Sequence, residues 1–204
     1  MADQSLNTLH ISENLAAYEA ARSNFFVFYV DPTQLTNLYS PDFDPDSGEA
    51  KVEDGTRFDG QMASDALRLN VTKASVPNFT IQTHEYRRGN DVVKFAGIPE
   101  FKDGSITVDD VVGLRVKDML YAWQYLAYNP ITRKGGKMKD YKKTCTLIEY
   151  TQDYEQIRYW TLYGCFVTAI DEGDFDREGG SEKRQMTVSI SYDRAIMSID
   201  EAII

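Results

Sequence analysis

The chain is 204 residues long, 42% hydrophobic and 26% charged, with a formal net charge of −10, which suits one domain with a proper core and is too short for two. This is the make-up of a folded globular protein, and it excludes disordered and fibrous classes. The acidic balance argues against a protein that grips a nucleic-acid backbone, because such proteins carry a basic face.

No stretch is apolar enough for a membrane span or a secretion signal, so the chain is expected to be made in the cytoplasm. Cys145 and Cys165 lack any CxxC or Cys/His spacing, so no structural metal is expected, and as cytoplasmic thiols they should stay reduced.

Taken in order, Ser12 to Arg22 reads as a helix capped by Ser12, placed as an arm within residues 1–24. Phe25 to Val30 is aromatic and β-branched, a short buried strand ended by Asp31-Pro32. Residues 40–60 mix acidic residues, prolines and glycines and read as a long loop or exposed hairpin. Loops of that length are uncommon without a task, so the segment is a candidate contact element. Ala66 to Thr72 sets Leu67, Leu69 and Val71 against Arg68, Asn70 and Thr72, the alternation of a half-buried strand. Phe79 to Arg87 and Val92 to Phe95 form a hairpin around Arg88-Gly89-Asn90-Asp91, where Gly and Asn tolerate the positive φ of a tight turn.

A strand at Ser105 to Val108 leads into Asp109 and Asp110, either of which can cap a helix from about Val111 to Ala127. Val112, Val116, Met119, Leu120, Trp123 and Ala127 give that helix one apolar face, and Asn129-Pro130 stops it. Lys143 to Thr151 and Arg158 to Ile170 form a second hairpin, with Cys145 and Cys165 nearly opposite each other. After an acidic, glycine-rich loop from Asp171 to Gly180, the last strand alternates Met186, Val188, Ile190 and Tyr192 with Gln185, Thr187, Ser189 and Ser191.

Catalytic chemistry is missing. His10 and His84 are the only histidines, and neither lies near a Gly-x-Ser-x-Gly turn. Asp171, Glu172, Asp174 and Asp176 do not follow the calcium-loop spacing and lack its terminal glutamate. Gly135-Gly136 among Arg133, Lys134, Lys137 and Lys139 does not match a P-loop. With Lys142 and Lys143 it is the one basic cluster, either a solvated loop or a surface that meets an acidic partner or a neighbouring subunit. No catalytic, metal or cofactor residue is assigned, and the chain reads as a non-enzyme.

The stretch Glu85-Tyr86-Arg87-Arg88-Gly89-Asn90-Asp91, Val92-Val93-Lys94-Phe95-Ala96-Gly97, then Gly104-Ser105-Ile106-Thr107 and a helix ending Tyr121-Ala122-Trp123, resembles the tail tube proteins of contractile-tailed phages and their relatives. Tyr163 to Ile170 and Met186 to Asp193 resemble that family's closing strands. Phe95-Ala96-Gly97 stands in place of the usual Leu-Pro-Gly, and Val167 where proline is common. The resemblance runs from about Ala66 to Arg194.

It implies a mainly β fold, a β-sandwich or open barrel with one flanking helix, six copies of which form rings with a continuous inner barrel. Closing around a ring removes sheet edges, and head-to-tail stacking of rings grows an open filament. The implied function is a structural subunit of a virion tail tube, assembled in the host cytoplasm, through which DNA passes without specific binding. Its partners would be itself, a tail sheath, a baseplate initiator, a tape measure and a terminator. Candidate stacking and interface residues are Phe43, Asp44, Arg57, Phe58, Arg87 and Arg88. Gln185, Thr187, Ser189 and Ser191 are candidates for the lumen, and Arg133, Lys134, Lys137 and Lys139 for a sheath or neighbour contact. The alternatives are a related ring protein, such as an initiator, a terminator or a tailocin or type VI secretion tube, and a carbohydrate-binding or hydrolytic β-sandwich using the 13 tyrosines.

Overall fold

The computed structural model describes residues 22–38, 58–111, 115–130, 132–173 and 183–199. The expected helix at Ser12 to Arg22, all but the last residues of the 40–60 segment, and most of the Asp171 to Gly180 loop lie outside them.

β1 (Phe26–Val30) forms where the sequence places it and runs into a 3-10 turn at Pro32–Gln34. The next element differs from expectation. Gly60–Asn70 is a helix, α1, and β2 follows only at Val71–Ala74. Asp59 caps α1, its carboxylate accepting from the Met62 N–H. Ala63, Ala66, Leu67 and Asn70 are buried at three- and four-residue spacing. The alternation of Leu67, Leu69 and Val71 is misleading because Leu69 is 74% exposed while Leu67 is fully buried.

β3 (Phe79–Arg88) and β4 (Asp91–Phe101) form the expected hairpin, with Gly89 at φ 66° in its turn. β4 is longer than predicted because an irregularity opposite Ile81 to Thr83 lets pairing continue to Phe101. β5 (Gly104–Asp109) is as expected. The long helix, α2, spans Val116–Ala127 and begins five residues late. Asp109 does not cap it, because it ends β5, where Gln185 Nε2 donates to its carboxylate at 3.0 Å. Arg115 occupies the N-cap in the left-handed region at φ 49°, without a side-chain cap bond. Val112 lies outside the described residues.

After α2 come β6 (Tyr128–Asn129), β7 (Lys134–Gly135) and a single helical turn, α3 (Met138–Tyr141). β8 (Lys143–Tyr150) and β9 (Gln156–Asp171) form the second expected hairpin, and β10 spans Gln185–Ser191. β11 (Arg194–Ile199) was not read from the sequence.

Seven strands make one antiparallel sheet in the order β1-β8-β9-β10-β5-β2, with β11 also on β9. β8 and β11 pair with the same part of β9, residues 158 to 162, and so flank it on opposite edges. β10 continues the β11 side along Phe166 to Asp171. The sheet is bent around a core in which Phe28, Leu147, Leu162, Val167, Val188 and Ile106 are all buried. α2 inserts Val116, Met119, Leu120 and Trp123 into it, and the Trp123 indole donates to the Tyr141 carbonyl at 2.8 Å. The sheet does not close on itself. β1 and β2 end it with one strand partner each, and a cleft of about 840 Å³ lined by Phe26, Val71, Ala74 and Trp160 opens beside them.

Cys145 and Cys165 are free and buried, but they are not directly opposite: Cys145 faces Leu162 and Cys165 faces Lys143. Burial, then a hydrogen bond between the two thiols, pushes the Cys145 thiol well above its ordinary range.

Candidate functional site

Among the described residues no group of His, Cys, Asp and Glu is arranged to hold a metal, and no helix is long and apolar enough to cross a membrane. What distinguishes the surface is an exposed apolar ribbon, a hydroxyl-bearing sheet face, a charged clamp and a basic loop.

The largest is the β3–β4 ribbon. β2 and β3 on one side, and β4 and β5 on the other, make one long two-stranded arm. Its inner part lies in the sheet, and nearly every residue of β3 and β4 is exposed. Residues directly opposite share a face. One face of the outer half presents Tyr86 opposite Val93 and His84 opposite Phe95; the other presents Glu85 opposite Lys94 and Arg87 opposite Val92. Glu85 and Lys94 are ion-paired at 3.3 Å. Tyr86 is 64% and Phe95 57% exposed. These apolar side chains leave one face of the hairpin uncovered, an unusual exposure for a monomer in water. Nearer the sheet, the Phe79 ring meets that of Phe101 at 5.4 Å, tilted by 46°, and Phe101 meets the buried Tyr192 at 6.3 Å, which ties the arm to the core.

The second face is the side of the sheet turned away from the core. Met186, Val188 and Ile190 point inward, so Gln185, Thr187, Ser189 and Ser191 point outward. Thr187 lies opposite Thr107 and Asp171, and Ser189 opposite Ser105 and Ala169, which makes a patch of small hydroxyl-bearing side chains. Charge at its margin is internally compensated. Lys183 is ion-paired with Asp109. Although its surroundings desolvate Asp109, hydrogen bonds from Lys183 and Gln185 hold that carboxyl below its usual range.

A third cluster gathers on Glu172, where β9 ends. Lys117 Nζ at 2.6 Å and Arg184 Nη2 at 2.5 Å meet one oxygen, and the Tyr121 hydroxyl donates to the other at 2.6 Å. Desolvation opposes ionisation, but these partners hold the Glu172 carboxyl low. The bond to Glu172, then burial, raises Tyr121 to about 12. This four-residue clamp joins α2 to both ends of the loop between β9 and β10.

The basic loop sits on the last turn of α2. It is held by the β6–β7 bridge, by the Gly136 N–H donating to Ala127 O at 2.9 Å, and by the Thr132 N–H donating to Asn129 Oδ1. Gly136 is required, since a Cβ there would lie 1.7 Å from the Leu126 carbonyl oxygen. Arg133 adopts φ 56°, a conformation that costs a non-glycine residue on the order of 1–3 kcal/mol. Arg133, Lys134, Lys137 and Lys139 are all exposed and make no ion pair among the described residues. Lys142 and Lys143 do not belong to this cluster. Lys142 pairs with Asp193 at 2.7 Å. Lys143 is 3% exposed, and its ammonium donates to Asn37 Oδ1 at 2.8 Å, to Asp140 O at 3.3 Å and to the Gln34 carbonyl.

The remaining sequence candidates divide. Arg87 and Arg88 lie at the exposed end of the ribbon. Phe43, Asp44 and Arg57 lie outside the described residues. Phe58 is corrected: it is 8% exposed, packed into the core under the Arg115 guanidinium at 5.3 Å, and so is withdrawn as a surface anchor. The apolar ribbon face and the Glu172 clamp were missed. The first was legible in principle as Tyr86, Val93 and Phe95 at matched hairpin positions; the second joins residues too distant in sequence to read together.

Residues 54–195 match the family model described as T4-like virus tail tube protein gp19. No curated protein matches the sequence. Among solved structures, the chain is similar to the sheath-tube complex of an extracellular contractile injection system (PVC) in its extended state, with TM-score 0.59, 16% identity, and 96% of this chain and 100% of that chain covered. It is also similar to the tube-terminating cap of the anti-feeding prophage, with TM-score 0.59, 15% identity, and coverage of 89% and 93%. For the six-fold symmetrised baseplate of that particle the TM-score is 0.57, at 12% identity and coverage of 89% and 97%. At these identities the structures establish a shared fold, and the family match covers well over half of the chain. The chain belongs to the T4-like virus tail tube protein family, as a structural tube subunit.

Proposed function

We propose that the protein forms hexameric rings that stack into the tube of a contractile tail, and that this tube is the conduit for DNA ejection. The observation that carries the reading is the incompleteness of the isolated subunit. Its sheet ends at β1 and β2 with one partner each, and its β3–β4 ribbon projects with exposed apolar side chains. Pairing around a ring would cover both, because a closed circle of sheets has no edge.

In this arrangement the Thr187 and Ser189 face lines the channel. DNA carries one charge per roughly 1.7 Å of axis, so a basic lining would hold it by counterion release, and a neutral or acidic lining such as this hydroxyl face with Asp171 lets it slide. Arg87 and Arg88 at the ribbon tip contact the neighbouring subunit. Asp44 and Phe43, with Arg57, contribute to stacking from the 40–60 segment, and the whole chain acts as a single tube domain. The sheath, initiator, tape measure and terminator are the expected partners.

The test is negative-stain microscopy of the purified protein, beside a variant in which residues 80–100 are replaced by a two-residue turn. The full chain should give long tubes, and the variant folded monomers. Isolated rings would favour a terminator or initiator, a role supported by the likeness to a tube-terminating cap. Native tubes from the shortened variant would refute the role of the ribbon.

A further inference from the structure

The basic loop borders a groove. Tyr125, Tyr128 and Pro130 from the end of α2 and beyond it, with Phe166 of β9, line an open cavity of about 450 Å³. Tyr128 is 55% exposed. The β6–β7 bridge sets Lys134 opposite Asn129, whose chain neighbours Tyr128 and Pro130 line the groove. The site therefore combines aromatic walls with cations that make no ion pair among the described residues, in a loop fixed by Gly136 and strained at Arg133. Its chemistry fits an acidic segment with an aromatic anchor.

The same chain presents such a segment. The turn between β8 and β9 carries Asp153, Tyr154 and Glu155, all exposed. Tyr154 is 76% exposed and stands at φ 62°, held by its N–H donating to the Thr151 carbonyl and by the Glu155 N–H donating to Thr151 Oγ1. Phe25 meets its ring edge at 6.0 Å and leaves the rest free. Neither carboxylate has an ion pair among the described residues.

The turn and the groove cannot meet within one molecule. The turn precedes Gln156 at the start of β9, and Phe166 lies ten residues along that strand, with Gly164 at φ 73° between them, a separation of at most roughly 33 Å. Two complementary patches that cannot meet within one subunit make a head-to-tail contact between copies, which closes into a ring or runs on as a filament according to the rotation relating them. We propose that the Asp153-Tyr154-Glu155 turn of one copy seats in the aromatic groove of another, with Tyr154 between the aromatic walls and the carboxylates against Lys134 and Lys137. The contact rests on the self-assembly reading above and gives it a specific polar joint. Its occupant is a second copy because the chain supplies both halves, matched in charge and in aromatic character.

Charge exchange tests it. Asp153→Lys with Glu155→Lys, or Lys134→Glu with Lys137→Glu, should each raise the protein concentration needed for sedimentable tubes about tenfold or more. Unchanged circular dichroism and melting would show that these exposed changes leave the subunit folded. A chain carrying all four changes should polymerise within about threefold of the original, since opposite charges again face each other. Independently, mixing Asp153→Cys protein with Lys137→Cys protein under mild oxidation should give an intermolecular disulfide that neither gives alone, the native thiols being buried. Tubes that grow equally well in every variant, or a four-fold variant no better than either pair, would overturn this contact and leave the tube reading intact. An original protein that forms neither rings nor tubes would overturn both.

Discussion

Lys143→Met gives a sharp test of how the fold is held. Lys143 is the one charged side chain among the described buried residues, and it has no ion pair among the described residues. It ties the 3-10 turn and the Asn37 side chain to the start of β8 through carbonyl and amide oxygens. Burial pulls its pKa from the ordinary 10.5 down to about 8, against smaller opposing effects of Cys145 and Asp140. The unfolded chain therefore binds this proton more tightly than the folded one. Stability must rise with pH across the window from about 8 to 10.5, and the destabilisation is fully present below it.

At 1.36 kcal/mol per pH unit the whole effect is roughly 3 kcal/mol. About 1.3 kcal/mol of that should be released between pH 7 and 9, a range below the raised ionisation of Cys145 and of Tyr121. Lys143→Met keeps the aliphatic stem and removes the proton. Urea titrations of both proteins from pH 7 to 9 should show the original gaining that increment relative to the variant. At pH 7 the variant loses the three hydrogen bonds but also the buried charge, so its absolute stability should change by no more than about 2 kcal/mol. Parallel pH profiles for the two proteins would refute the reasoning, because they would mean that Lys143 keeps its ordinary pKa in the fold.

Two further perturbations probe the surfaces. Glu172→Ala should lower the Tyr121 pKa from about 12 toward its ordinary 10, read by ultraviolet titration of phenolate, with a stability loss of about 1 kcal/mol for the partly exposed ion pairs. Gly136→Ala forces a methyl group to within 1.7 Å of the Leu126 carbonyl oxygen, so the loop must leave the helix. The expected loss is about 2 kcal/mol or more in urea titration, accompanied by loss of slow amide exchange at the Gly136 N–H.

Much of the fold was legible because most strands satisfy local rules. The hairpins at Arg88 to Asp91 and Thr151 to Glu155 carry turn-forming residues between β-branched and aromatic runs. The inward set Met186, Val188 and Ile190 was plain in the period-two alternation. Where local signals competed, tertiary structure decided. Residues 66–70 alternate like a strand, yet the Asp59 cap and the core's demand for Ala63, Ala66 and Leu67 on one side make them helical. Asp109 is as good a helix cap as any, but Lys183 and Gln185 draw it into the sheet.

The sequence alone determined most of the long strands, which face of β10 is apolar, that the composition offers no catalytic histidine system, and, through short motifs in order, the family. These depend on residues close in the chain, where spacing maps directly onto a face or a turn. The tertiary structure decided that Phe58 is core, that Lys143 is buried, that Glu172 gathers Lys117, Tyr121 and Arg184, and that acidic and basic aromatic patches lie at opposite ends of β9. Each of those rests on groups brought together across dozens of residues, and only the folded backbone sets such distances.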